Sequence, residues 1–326
     1  RRGPILRPSR SAPPEAGVFG VDLTAGCALG CPFCHIRALP SYPGEDQVQF
    51  DPSVSRRLGW TLEPMEVMPK LVVLSPSSDP FPPQREVRLE SERVIRLVLD
   101  RGIELLIMTR GRIPLKLIGL LAEHSARVRV ALALTTLDRA LCRTLEPRAA
   151  PPTARVARIA RLVAAGVPVE VRLEPLISGL TDTRENIRPL FEALAGAGVS
   201  RVVAHYLFLH PALKSTLKGA LHPLGLSEKL EEDYQAGPVF PIGSLGPTKH
   251  LPLDVRRAGL ASLSAWGAEF GLSVETGAAQ NPDLPRAELF AAPVPSSRPS
   301  LRPGVREPRP HAQPGSNGPT EIKAGP

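Results

Sequence analysis

The sequence predicts an α/β chain: a partial (β/α)6 TIM-type barrel of parallel strands with a C-terminal helical extension. Three observations lead there. Short apolar runs of strand length alternate with helical segments six times between residues 18 and 210. Those runs are apolar on both faces, which suits a parallel sheet covered by helices. The two ends of the chain differ from the body: residues 1–15 are rich in Pro and Arg, and residues 291–326 hold nine prolines and no aromatic residue. The expected organisation is a disordered basic arm (1–15), a barrel core (16–210), an extension covering the barrel (211–290) and a disordered Pro-rich tail (291–326).

Taken in order, residues 18–24 form the first strand and lead into a cysteine-rich loop. Residues 71–74, Leu-Val-Val-Leu, make a buried-type second strand, stopped by Ser75-Pro76-Ser77-Ser78-Asp79-Pro80. Residues 90–100 have helical periodicity, with Val94, Ile95, Leu97 and Val98 set among charges. The third strand is 103–108, followed by a helix over about 114–124. The fourth strand is 128–134, then a short helix near Ala140 and a longer one over 154–165. The fifth strand is 168–173 and its helix 184–197; the sixth strand is 202–207. Residues 254–270 form an amphipathic helix with Val255, Leu260, Leu263 and Trp266, expected over the open side of the barrel. Six strands make an incomplete barrel, and sites in such folds lie at the carboxyl ends of the strands.

Composition narrows the function classes. No apolar run approaches the length of a membrane span. Four cysteines, three of them clustered, do not make a disulfide framework and point to a reducing cytoplasm. The chain begins at Arg1 without a Met or a signal-peptide pattern, which leaves its natural start open. The formal charge of +8 sits mainly at the ends, with +3 in residues 1–17 and +3 in residues 286–326. The body is nearly neutral, so nucleic-acid contact through the arms is allowed but not indicated.

The most informative stretch is Thr24-Ala-Gly-Cys27-Ala-Leu-Gly-Cys31-Pro-Phe-Cys34-His35. Gly26, Gly30 and Pro32 oppose a regular helix, so the three thiols belong to a loop. A [4Fe–4S] cluster normally takes four thiolates, and three would leave one iron open. A loop also lets backbone N–H groups approach the sulfurs. The alternatives are a zinc site completed by His35 or Cys142, or three buried inert cysteines.

The C-x3-C-x2-C spacing, with Phe33 before the last cysteine, resembles the signature of the radical S-adenosylmethionine (radical SAM) enzymes. The resemblance implies that Cys27, Cys31 and Cys34 ligate three irons and that S-adenosylmethionine chelates the fourth. One electron then cleaves its sulfonium to methionine and a 5′-deoxyadenosyl radical, which abstracts hydrogen from a substrate. It further implies a partial (β/α)6 barrel and an external electron donor of the flavodoxin or ferredoxin kind.

Several strand ends carry polar residues where such a cofactor would lie. Ser78 and Asp79 stand where the family often carries a glycine-rich acidic segment; a plain Ser/Asp-Pro turn is the alternative. Arg110 could neutralise the methionine carboxylate, or be a surface Arg near a turn. Thr135, in Thr135-Thr136-Leu137-Asp138, could face the cofactor, or the segment could simply cap a helix through Asp138. Alternation puts Arg172 and Glu174 on one side of the fifth strand, as a buried ion pair or as ribose ligands. Pro175-x-Ile177-x-Gly179-x-x-Asp182 resembles a family segment beside adenine, with Asp182 or Thr183 as a helix cap in the bland reading. His205 and Tyr206 could reach the site, although a core histidine is the simpler expectation for His205.

Ser78-Asp79-Pro80, Leu134–Asp138, Leu145–Ala149 and Pro175–Asp182 also resemble the subgroup related to spore photoproduct lyase. With the cysteine motif the resemblance covers about residues 18–210. The lyase carries a hydrogen-donor cysteine just upstream of its Ser-Asp pair; this chain has Ser77 there, and its spare thiol, Cys142, belongs to a helix. The expected activity is therefore radical SAM chemistry on an unknown substrate. The alternatives are lyase-like DNA repair and a non-enzymatic zinc- or cluster-binding protein.

Overall fold

Leu105, Ile107, Val130, Leu132, Val171, Leu173, Val202 and Ala204 are all buried. They occupy alternate positions of four neighbouring strands, in parallel registers such as Ile107↔Val130, Leu132↔Val171 and Leu173↔Ala204. Period-two burial on parallel strands stacks these side chains into one apolar belt beneath the helices. The computed structural model describes residues 4–9, 16–242 and 245–284. The expected tail (291–326) lies outside the described residues, which fall in one compact unit.

The described strands are β1 (Arg7–Pro8), β2 (Val18–Val21), β3 (Thr24–Ala25), β4 (Gln49–Phe50), β5 (Leu71–Leu74), β6 (Glu104–Thr109), β7 (Val128–Ala133), β8 (Val169–Leu176), β9 (Arg201–Tyr206), β10 (Val239–Pro241), β11 (Pro247–Lys249) and β12 (Ser273–Glu275). The α-helices are α1 (Val54–Leu62), α2 (Arg85–Asp100), α3 (Leu115–Glu123), α4 (Arg139–Leu145), α5 (Pro152–Ala164), α6 (Arg184–Gly196), α7 (Lys214–Leu221), α8 (Ser227–Gln235) and α9 (Leu253–Ala268). The main sheet runs β1-β2-β5-β6-β7-β8-β9-β12. Every pairing in it is parallel except that of β1 with β2. It is a mostly parallel sheet with flanking helices, and its two edges are not joined among the described residues.

The six expected strands are present, with informative differences. β2 stops at Val21 because Asp22 turns aside, its Oδ1 accepting from the Ser77 N–H at 2.8 Å. Thr24 and Ala25 pair with Phe50 and Gln49 instead. β8 runs on to Leu176 through a register shift after Leu173 and a cis Glu174–Pro175 bond.

Two structural details go beyond the expected organisation. Arg7 and Pro8, in the segment expected to be an unstructured arm, pair antiparallel with Gly20 and Phe19. The helix expected to cover the open side is α9, and it packs against α6 and β12 in the outer layer. It leads into β12, a seventh parallel strand beside β9. Its inner face is also different: Val255 is 39% exposed, while Arg256 is 1% exposed and bonds to Leu251, Asn281 and Asp283.

No helix or strand is expected over residues 36–70, yet α1 lies there with Val54, Leu58 and Leu62 buried at four-residue spacing. The buried Glu90 carboxylate of α2 accepts the Ser55 N–H at 2.6 Å, which suits an anion at a helix N-terminus. From the extension, α7 reaches the cysteine loop, its Thr216 hydroxyl donating to the Pro32 carbonyl at 3.1 Å.

Candidate functional site

The two-stranded ladder of β3 and β4 closes residues 26–48 into a loop at the carboxyl end of β2. Gly26 and Gly30 have φ of +77° and +69°, the left-handed region that glycine enters at no steric cost. A Cβ at Gly26 would also lie 2.4 Å from the Gln47 carbonyl oxygen. Arg37 braces the turn from below, Nε donating to the Cys31 carbonyl at 3.3 Å and Nη1 to the Tyr42 hydroxyl at 3.1 Å. Its guanidinium also pairs with Glu45.

Cys27, Cys31 and Cys34 line one small cavity together with Arg37, Tyr42 and Arg148. Cys31 is buried, and Cys27 and Cys34 are half-buried. Burial pushes all three thiols up. The Leu29 and Ile36 N–H groups, at Cys27 and Cys34, and the Arg110 cation pull the other way. Among the described residues, no three His, Cys, Asp or Glu side chains gather closely enough to hold a single metal ion. A [4Fe–4S] cluster puts each thiolate on a different iron, so its ligands ring a volume and need not meet at a point. Three thiols around one cavity, with N–H donors on two sulfurs, fit that group.

The other expected residues all stand at carboxyl ends of neighbouring strands, and the structure divides them. Asp79 is buried and accepts from the Thr109 hydroxyl (2.8 Å), the Phe81 N–H (2.8 Å) and the Arg110 N–H (2.7 Å). Burial raises its pKa, and these donors only partly offset that. Its carboxylate therefore ties the end of β5 to the end of β6. Ser78 beside it keeps a buried hydroxyl with no hydrogen-bond partner, as does Ser75, whose φ of +53° is uncommon for a non-glycine residue. Orphaned buried hydroxyls carry a desolvation cost, and they fit a polar ligand that would complete them.

Arg110 is largely buried rather than on the surface. Its Nη1 donates to Glu146 Oε1 and its Nη2 to the Glu174 carbonyl, both at 2.6 Å. Thr135 is buried, and its carbonyl accepts from Asn186 Nδ2 at 2.8 Å. Asp138 caps α4, Oδ1 accepting from the Ala140 and Leu141 N–H groups. Thr183 caps α6, while Asp182 accepts from the Gly179 N–H and the Tyr206 hydroxyl.

Arg172 and Glu174 do share a side of β8, and Glu170 joins them. Burial alone would raise Glu174, but the Arg172 guanidinium outweighs it and brings the carboxyl down to about 2. His205 lies beside this pair on β9; burial pushes it down to about 4 against the pull of Glu174. The Thr276 hydroxyl donates to the Ala204 carbonyl at 2.8 Å, and its Oγ1 lies 3.2 Å from His205 Nδ1.

Glu146, like Arg37, Tyr42 and Arg148 at the cavity, is not singled out by the sequence. It is 2% exposed and joins Arg110 to Arg155 and the Cys142 thiol. Its signal was the Leu145–Ala149 string, read only for its resemblance. Cys142 is committed here, 3.0 Å from Arg155 Nη2, so it is not gathered with the cysteine loop.

No family model matches the chain. An uncharacterized protein of Acidianus two-tailed virus is 27% identical over 230 residues, covering 63% of this chain and 75% of that protein. An uncharacterized protein of Mycobacterium tuberculosis is 28% identical over 235 residues, covering 68% of this chain and 69% of that one. Among solved structures, a spore photoproduct lyase point mutant superposes with a TM-score of 0.61 at 14% identity, over 84% of this chain and 79% of that one. The lyase complexed with dinucleoside spore photoproduct gives 0.57 at 14% identity, over the same shares. A radical SAM methyltransferase from Sphaerobacter thermophilus gives 0.50 at 16% identity, over 79% of this chain and 65% of that one. The chain shares the fold of these solved structures.

Proposed function

We propose that this chain is a radical SAM enzyme. The observation that carries the reading is the ring of Cys27, Cys31 and Cys34 around one cavity at the carboxyl end of the first long parallel strand of that fold. The three thiols would hold a [4Fe–4S] cluster. Together with S-adenosylmethionine the cluster would supply one-electron reductive chemistry, the kind that can start hydrogen abstraction from a C–H bond.

The chain's own residues bind and orient. The Ser78 hydroxyl, buried and without a partner, and Thr135 on the neighbouring strand end are the groups we assign to the cofactor. Asp79 holds the β5 and β6 ends in register beside it. The Arg172–Glu174 pair supplies a fixed polar wall. Burial of these groups excludes water, which strengthens every electrostatic contact inside the site.

A second reading, lyase-like repair of a DNA lesion, is favoured by the likeness to spore photoproduct lyase, including its complex with dinucleoside spore photoproduct. Ser77 at the position of that enzyme's donor cysteine requires hydrogen return by another group.

The test is anaerobic reconstitution with iron and sulfide, reduction by dithionite, and assay of 5′-deoxyadenosine. Product that disappears on replacing any of the three cysteines supports the reading. Bound zinc in place of iron, or a full cluster that never cleaves the cofactor, contradicts it in favour of a binding or sensing protein. Adding a cross-linked thymine dinucleoside then separates the lyase-like reading from other substrates.

A further inference from the structure

Arg110 ends β6 with its directions already taken. Besides Glu146 and the Glu174 carbonyl, its guanidinium carbon lies 5.1 Å from the centre of the Phe33 ring, between Cys31 and Cys34 in sequence. Glu146 in turn accepts from Arg155, which is 1% exposed and donates from Nη1 to the Ala133 carbonyl at 2.7 Å. The result is a buried Arg–Glu–Arg chain with one net positive charge, and one end of it lies over the cysteine loop.

Such a chain is an expensive way to pack α4 and α5, because desolvating three charges is repaid only by close pairing. An apolar replacement of similar volume would often be neutral or better for stability. Arg110 already has buried anions beside it, Glu146 and the Asp79 carboxylate that takes its N–H, and a thiolate-ligated cluster would be a further negative neighbour on the Phe33 side. We propose that Arg110, held by Glu146, is the counter-charge of the cluster and sets its reduction potential, and is not a clamp on the cofactor carboxylate. This rests on the cluster reading above. On reduction the cluster takes one electron from a one-electron donor, here dithionite, with no bond made or broken. A fixed cation in a low-dielectric site stabilises the added negative charge and so raises the potential. Arg110 is thus a fixed charge, held by the Glu174 carbonyl and by Glu146, and Glu146 is the positioning residue.

The experiment uses the full chain, reconstituted anaerobically, as wild type and as Arg110→Gln, Arg110→Lys and Glu146→Gln. Iron and sulfide content are measured first. The midpoint potential follows by dye-mediated EPR titration, and S-adenosylmethionine affinity by its perturbation of the EPR signal. The expected result is a lower potential for Arg110→Gln, a near-wild-type potential for Arg110→Lys and a higher one for Glu146→Gln. Cofactor affinity should stay within about threefold throughout. Unshifted potentials in fully loaded Arg110→Gln and Glu146→Gln would overturn the proposal. So would a loss of affinity of about a hundredfold at an unchanged potential, the signature of a clamp. If Arg110→Gln fails to load, the test passes to Glu146→Gln, whose potential must rise; an unshifted potential in that loaded variant would overturn the proposal. Wild type that takes up no iron would remove the cluster reading itself, and the proposal with it.

Discussion

Glu174 receives Arg172 in a two-point fork, Nε to Oε1 at 2.6 Å and Nη2 to Oε2 at 2.8 Å. Both side chains are largely buried, and the third partner, Glu170, is 2.8 Å from Arg172 Nη1. Removing one member leaves a buried charge without its partner. Arg172→Met should therefore cost about 3–5 kcal/mol in urea unfolding, and Arg172→Met with Glu174→Leu should recover much of it. Glu174 is held down to about 2, below its unfolded value. Its contribution is therefore complete above about pH 4.3 and fades as pH falls towards 2. Glu174→Gln should flatten that acid limb; an unchanged limb would contradict the pairing.

His205 and His250 titrate in a different window. Burial brings each down to about 4, so the folded protein keeps them neutral where the unfolded chain begins to bind protons. Stability should fall as pH drops from about 6.5 to 4. His205→Gln and His250→Gln should each remove part of that slope in urea titrations, and the double variant most of it.

Gly259 on α9 lets the Tyr206 hydroxyl pass beneath the helix. A Cβ there would lie 1.7 Å from Tyr206 Oη, whose hydroxyl donates to Asp182 at 2.8 Å. Gly259→Ala should cost roughly 1–3 kcal/mol through overpacking. Adding Tyr206→Phe should relieve part of the loss in thermal unfolding, since the clashing oxygen is gone.

Cysteine variants should divide sharply. Cys27→Ala, Cys31→Ala and Cys34→Ala should each abolish cluster assembly, read by iron content and visible absorption. Cys142→Ser should load iron normally, because that sulfur is engaged with Arg155 and Glu146.

Asp138→Ala separates capping from cofactor contact. Its carboxylate bonds the first turn of α4, so the loss should be about 1 kcal/mol of stability. Iron loading and cofactor affinity should not change.

Much of this protein is written locally. Apolar runs such as Leu71–Leu74 and the helical stripe of α2 state their conformation because period and burial coincide over a few residues. The Cys27-x3-Cys31-x2-Cys34 spacing likewise places three thiols in one loop, since glycine, proline and thiol positions there are a local matter. Val54, Leu58 and Leu62 carried the same kind of signal for α1, but that stripe is short and the helix also exposes Trp60.

What the chain determined by itself, then, was the order of strands and helices, the cysteine loop, and which strand ends carry polar groups. Tertiary structure decided how those groups are spent. Asp79 and Arg110 lie 31 positions apart and are bonded through the Arg110 N–H; Arg110 and Glu146 lie 36 apart and are paired. It also decided that α9 joins the outer layer and delivers β12, burying Arg256 while Val255 faces out. The physical reason is common to these cases. A polar side chain has several partners of the right chemistry, and only the packed fold selects which one lies within hydrogen-bond reach.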